Sequence, residues 1–156
     1  MNKDEYFMEF ALKEAEKAYK KGEVPVGTVI VYKNKIICRG YNLKEKKYDI
    51  TRHAELIAIK KASRKIRDWR LEGMVMYVTL FPCSMCASAI LQSRIEKLVI
   101  GAPSLDHNNK EVVHKIFEGN NTSPKVEVVE GILKDKCIKI LSKFFKEQRN
   151  KIKKDS

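Results

Sequence analysis

The sequence reads as one α/β domain, a sheet covered by helices, and three observations lead there. Helix-like and strand-like segments alternate along the chain, and two early β-branched runs are joined by a short polar turn. No repeat, Gly/Ser linker or low-complexity block divides the 156 residues. A chain of that length buries roughly 68 to 70% of the surface its unfolded form exposes, so it can build a core without staples.

From Asp4 to Lys21, apolar residues at Phe7, Phe10, Ala11, Ala15, Ala18 and Tyr19 form one helix face, and Gly22 ends it. V-P-V-G-T-V-I-V-Y and I-I-C-R-G-Y then flank K-N-K, which predicts a hairpin. A second helix fits Arg52 to Arg67. The run M-V-M-Y-V-T-L at 74–80 is short, apolar and β-prone, as a buried strand should be. C-S-M-C-A-S-A-I-L suits a helix, K-L-V-I-G-A a fourth strand, V-V-H-K-I-F a short helix and K-V-E-V-V-E a fifth strand. Asp106 to Lys110 reads as a polar stretch between elements. Cys137, Ile140, Leu141 and Phe144 repeat at helical spacing towards a basic end, K-K-D-S.

The formal charge is +12, from 32 Lys and Arg against 20 Asp and Glu, which favours a polyanionic partner and is silent about fold. The first residues, M-N-K-D-E-Y-F-M-E-F, space their apolar side chains helically among charges, so neither a signal peptide nor an anchor is expected. That predicts a cytoplasmic protein with no membrane partner. In a reducing compartment, Cys38, Cys83, Cys86 and Cys137 are not expected to form a disulfide framework. Cys38 and Cys137 lie in apolar patterns and read as small buried hydrophobes.

Cys83 and Cys86 admit three readings: a disulfide, a dithiol redox pair, or two ligands of a metal ion. T-R-H-A-E at the start of the second helix adds His53, thirty positions upstream, with Glu55 two residues beyond it. An imidazole and two thiolates make a three-ligand zinc set whose fourth position stays open, as in catalytic sites. Two cysteines three apart share a helix face, and a helix start favours thiolates. Near such a start Glu55 can serve the same reaction as His53, as an acid/base rather than a fourth ligand. His107 and His114 have no partner at ligand spacing and read as surface or loop histidines.

The two halves together match the H-x-E…P-C-x-x-C signature of zinc nucleobase deaminases. V-P-V-G-T-V-I-V, G-Y-N, H-A-E-L-I-A-I, Y-V-T-L-F-P-C-S-M-C-A-S-A-I and S-R-I extend the match, as do E-G-I-L and F-F near the end. Through these the chain resembles the bacterial tRNA adenosine deaminases, which make inosine at the anticodon wobble position. The resemblance implies a cytidine deaminase-like three-layer α/β/α sandwich with a five-stranded mixed sheet. Residues 1–156 would form a single zinc-dependent deaminase domain with a basic C-terminal helix and tail. It implies one zinc on His53, Cys83 and Cys86, Glu55 as proton shuttle, and water attacking C6 of adenine. Substrate contacts would fall on Asn42, Ala54, Pro82, Ser104, Phe145 and Arg149. The partners it implies are the tRNA anticodon stem-loop and a second copy of the chain.

The sequence departs from the family pattern in three places. Phe81 stands where most members have Glu before Pro-Cys. Ile50 and Arg52 replace the usual Pro and Ala before His53. G-A-P-S-L-D-H-N-N-K-E lacks the Arg-Asp and Lys-Thr-Gly pieces, which leaves Ser104 where a carboxylate would meet a ribose 2′-hydroxyl, and so predicts weaker discrimination between RNA and DNA. The altered loop from Pro103 to Lys110 supports an alternative, deamination of a free guanine- or cytosine-type base or nucleoside. A non-catalytic RNA-binding subunit is a third reading, and such a chain would typically lack Glu55. The tail F-F-K-E-Q-R-N-K-I-K-K mixes aromatics and cations as an RNA-contacting helix does, while Phe144 also fits a core position.

Overall fold

The structure, a computed structural model, describes residues 1–155; Ser156, the last residue of the basic end, lies outside them. Helix α1 spans Lys3–Lys20, and the hairpin strands are β1 (Gly27–Tyr32) and β2 (Lys35–Tyr41). Helix α2 (Ala54–Ile66), strand β3 (Met74–Leu80), helix α3 (Ser84–Gln92) and strand β4 (Lys97–Ala102) follow. Helix α4 (His107–Phe117), strand β5 (Glu127–Val129) and helix α5 (Lys134–Asp155) complete the order.

The sheet runs β2-β1-β3-β4-β5. Strand β1 is antiparallel to both of its neighbours, whereas β3, β4 and β5 pair in parallel, so the five-stranded sheet is mixed as expected. Lys33 and Asn34 both take positive φ, the type I′ geometry that matches the twist of the flanking strands in a two-residue hairpin.

Alternation along the strands splits the core in two. Val29, Val31, Tyr77 and Val99 point to the face covered by α1 and α5. Ile30, Met76, Val78, Leu98 and Ile100 point to the other, where α2, α3 and α4 pack. Burial on both faces is why β3 and β4 read as continuous apolar runs. Among the described residues no helix is long and apolar enough to cross a membrane.

Two elements differ from expectation. Helix α4 begins at His107, so residues 107–110 are its first turn and the loop is only 103–106. Asp106 caps that turn by accepting from the Asn108 N–H at 2.9 Å. An all-polar first turn carries no apolar periodicity, which is why it reads as loop. Strand β5 keeps three residues of K-V-E-V-V-E because it pairs only with the first half of β4.

Cys137 is fully buried as a small hydrophobe. Cys38 is only half-buried, and its thiol donates to the Ala58 carbonyl at 3.2 Å. Burial holds that thiol up at about 11.

The helix that carries His53 and Glu55 lies close against β2 at Gly40. A Cβ at Gly40 would stand 2.6 Å from the Ala54 carbonyl oxygen and 3.2 Å from the Ala58 nitrogen, both backbone atoms of α2. Gly40→Ala is therefore expected to push the first turn of α2 outward and to cost about 1 to 3 kcal/mol, as overpacking does. Thermal unfolding checks this, with a fall in Tm of roughly 2 to 4 °C for each kcal/mol lost.

Candidate active site

Two helix starts meet at the end of the sheet where β2 and the central strand β3 finish. His53 is the N-cap residue of α2 and Cys83 that of α3, and both take extended backbone angles. N-cap positions favour Ser, Thr, Asp or Asn, whose side chains satisfy the exposed amides. Neither His53 nor Cys83 caps its own helix. Both side chains point instead at one spot, to which Cys86 in the first turn of α3 also reaches. Pro82 precedes the cap and so stands just outside the helix.

The His53 Nδ1 lies 3.6 Å from the Cys83 Sγ and 3.5 Å from the Cys86 Sγ. All three candidate ligand atoms fall within 4.8 Å of one another. Zinc bonds of about 2.0 to 2.1 Å to nitrogen and about 2.3 Å to sulfur, at a tetrahedral angle, put those atoms roughly 3.5 Å apart. Both nitrogen-to-sulfur edges of the donor triangle thus have the length that zinc requires, and the donor types suit it.

The electrostatics of the triangle agree. The Cys83 thiol is held down to about 4, first by the hydrogen bond with Cys86 and, against burial, by His53. Cys86 is pushed up, first by that same bond to Cys83 and then by burial. His53 is raised chiefly by its bond with Cys83. The pair surrenders one proton readily and keeps the other, and a divalent cation is what stabilises two thiolates side by side.

Glu55 occupies the second position of α2 and is 4% exposed. Burial raises its carboxyl to about 7; Cys83 and His53 act on it as charged neighbours, and Cys86 as a hydrogen-bond partner. It lies with His53, Ala54 and Cys83 in the wall of a cleft of about 400 Å³. That is within the range of small-molecule sites. Val24, Val26, Leu80 and Phe81 supply apolar lining, and Asn42, Lys44, Ser104 and Asn109 supply polar groups.

Of the residues assigned to substrate contact, Asn42, Ala54 and Ser104 line this cleft. The Asn42 Oδ1 accepts from the Lys44 N–H at 3.2 Å, and its Nδ2 donates to the Val24 carbonyl at 3.4 Å. The Ser104 hydroxyl donates to the Asp106 carbonyl at 2.7 Å and accepts from the Asp106 N–H at 3.2 Å and from Asn109 Nδ2 at 3.3 Å. Pro82 is buried behind the cleft wall, its carbonyl accepting from Asn109 Nδ2 at 3.0 Å. Phe145 and Arg149 are not brought to the cleft. Phe145 packs at the edge of the α1–α5 core beside Phe144, and Arg149 is exposed.

Three residues important to the site escaped the sequence. Asn109 ties the first turn of α4 to the metal-binding loop. Lys44 brings a cation to the rim. Glu23, fully buried, accepts from the N–H groups of Glu45 at 3.0 Å and Lys46 at 2.7 Å and so fixes the loop after β2. A lone acid between Gly22 and the V-P-V run was the only local sign of Glu23. Phe81, one of the departures from the family pattern, has a buried ring whose centroid lies 5.5 Å from that of His114.

Known proteins agree with this geometry. The sequence model of the cytidine and deoxycytidylate deaminase zinc-binding region matches residues 1–102. A tRNA-specific adenosine deaminase of Bacillus subtilis is 42% identical over 153 residues, covering 98% of this chain and 95% of that protein. One of Buchnera aphidicola is 44% identical over 148 residues, covering 95% and 97%. A structure solved in a study of A-to-I editing by tRNA:A34 deaminases at the wobble position of transfer RNA superposes with a TM-score of 0.80 at 36% identity, covering 87% of this chain and 99% of that one. With a zinc-shaped donor triangle, a buried carboxyl beside it and end-to-end likeness to these proteins, the chain belongs to the tRNA adenosine deaminase family of zinc-dependent, cytidine deaminase-like hydrolases.

Proposed function

We propose that the protein hydrolytically deaminates adenosine to inosine at the wobble position of tRNA, in the cytoplasm, as a homodimer whose single domain carries both chemistry and RNA contacts. The observation that carries the chemistry is the buried Glu55 carboxyl beside the His53, Cys83 and Cys86 triangle at the wall of a base-sized cleft. The likeness to tRNA-specific deaminases over nearly the whole chain supports the substrate. Nucleoside analysis of tRNA incubated with purified protein, run beside assays on free guanine, cytosine and their nucleosides, tests it.

His53, Cys83 and Cys86 hold the zinc in this reading, and when bound the ion supplies Lewis-acid activation of water at neutral pH. Glu55 does the proton work. Its carboxylate takes one proton from the attacking water and delivers it to the adenine N1, then takes the second from the new C6 hydroxyl and delivers it to the exocyclic amine. The protons balance: water adds across the C6–N1 bond, its two protons pass through Glu55, and the exocyclic nitrogen leaves as ammonia. Val24, Val26 and Phe81 exclude bulk water from the base, and Asn42 and Ser104 lie at the rim where the ribose would sit.

In this reading the second copy packs against the wide groove between α2, α3 and α4, lined by Trp69, Leu91 and Arg94, which holds none of the zinc donors. Trp69 is 53% exposed there. The tail is placed against RNA. Tyr19, at the end of α1, bonds Glu147 and packs on Phe144, so the second half of α5 runs beside the segment that leads to Val24 and Val26 in the cleft.

One zinc per chain is expected on metal analysis, and the Cys83→Ala, Cys86→Ala double variant should lose it. Zinc retained by that variant would place the ion elsewhere.

Glu55→Ala should keep zinc and fold while activity on tRNA falls by about 10² to 10⁴, the worth of a positioned acid/base. Metal content and single-turnover rate, measured on the same preparation, separate this from a ligand role.

Removal of residues 146–156 should weaken tRNA binding and flatten its dependence on salt, because Lys146, Arg149, Lys151 and Lys154 would each displace counterions from phosphates. Binding titrations across a range of salt concentrations check the slope.

A further inference from the structure

A second groove, of about 360 Å³, runs along the outer side of α2, with Arg52, Lys60, Lys61 and Arg64 along it and the half-buried Leu56 and Ile57 at its floor. The carboxylate that also lines it, Asp49, is already committed. It accepts from the Thr51 N–H at 2.9 Å and the Thr51 hydroxyl at 2.6 Å and pairs with Arg52 at 3.5 Å. Between Lys44 and Arg67 the chain places nine Lys and Arg against three acids, one of which is Glu55 inside the cleft.

This groove shares no lining residue with the catalytic cleft but adjoins it along the chain. Arg52 immediately precedes His53. The Leu43 N–H donates to the Arg52 carbonyl at 2.9 Å, which joins Arg52 to the segment carrying Lys44 on the cleft rim. Some of its charge is fixed in place: the Lys61 ammonium donates to the Arg39 carbonyl of β2 at 2.9 Å and still faces solvent. Lys60 and Arg64 are exposed, one turn apart, and make no hydrogen bond or ion pair among the described residues. From Arg52 to Arg64 the groove extends roughly 18 Å at 1.5 Å per residue. That is about five steps of one nucleic-acid strand at 3.4 Å.

We propose that this groove seats the phosphate backbone of the paired RNA stem that leads away from the base held in the cleft. The proposal rests on the tRNA reading and extends it, since the cleft takes one nucleotide and α2 takes the helix behind it. A concave row of cations that begins one residue from His53, in the wall of a base-sized cleft, fits a polyanion whose one end is fixed there. An anionic membrane would ask instead for a flat face with exposed apolar anchors, and Leu56 and Ile57 are half-buried.

The test uses the full-length zinc enzyme and a Lys60→Gln, Arg64→Gln double variant, with Lys33→Gln, Lys35→Gln at the hairpin turn as a control of equal charge change. Substrates are an anticodon stem-loop and a matched single-stranded loop without its stem. On the stem-loop the α2 variant should raise KM roughly tenfold or more, and the slope of log KM against log salt should fall by about 1.4 to 1.8, which is two phosphate contacts. The hairpin control should shift neither. On the stemless loop the two variants should behave alike. The proposal is overturned if the α2 variant keeps the wild-type slope, if the control changes it equally, or if the stemless loop suffers as much as the stem-loop. Should the wild type make no inosine, the functional reading fails by itself. Fluorescence anisotropy of the same stem-loop with wild type and variant would then decide the groove alone, equal affinities overturning it.

Discussion

Everything in this molecule is arranged around bringing one imidazole and two thiols to within a tetrahedron's edge of each other. The donors lie thirty residues apart in sequence and on two different helices, so their positions depend on how each helix start is set against the sheet. Both starts give up a side-chain cap to do this, because His53 and Cys83 stand where a serine or aspartate would have satisfied the helix amides. The loss is recovered in the buried packing of Ala54, Ala58, Ala62, Ala87 and Ile90 against the sheet. The four alanines among them let the helix axes come close, and Gly40 lets α2 touch β2 through bare backbone.

The same convergence organises the electrostatics. Two helix N-termini direct partial positive charge into one small volume, which suits thiolates and a carboxylate alike. Glu55 is buried there beside the sulfurs, and burial lifts its carboxyl well above the usual range. A carboxyl in water would stay ionised at neutral pH and would give protons back poorly. The fold therefore produces the reagent by placement, with the apolar cleft wall serving both to bind a base and to keep that carboxyl dry.

Much of this was legible in the residues, for identifiable reasons. Strands β3 and β4 are buried on both faces and so appear as unbroken apolar runs, and their limits agree with the structure residue for residue. The donor set could be read because metal ligands must be particular residue types at particular spacings. The polar first turn of α4 could not, since a helix that begins outside the core carries no hydrophobic period until Val112 and Val113. Asn109 was equally hidden: its partner, the Pro82 carbonyl, is 27 residues away, and nothing local marks an asparagine for that role. Helical repetition in α5 let Phe144 fit the core, where it lies, but left an RNA-contacting reading of the tail equally open, and it could not tell whether Phe145 and Arg149 pointed to the cleft or away from it.

The bond from Asn109 to the Pro82 carbonyl joins two parts that chemistry would treat as separate. Pro82 is the neighbour of a metal ligand, while Asn109 and Ser104 belong to the wall of the cleft. A wall tied in this way cannot open without disturbing the donor next to it. Because linkage between two bound species is reciprocal, whatever orders the 103–109 segment also favours the metal-binding arrangement, and an occupied metal site in turn lowers the entropy still to be lost when that segment closes on a ligand. The segment is therefore not an independent appendage: a change in it reaches, through one amide, the residue that precedes a metal donor.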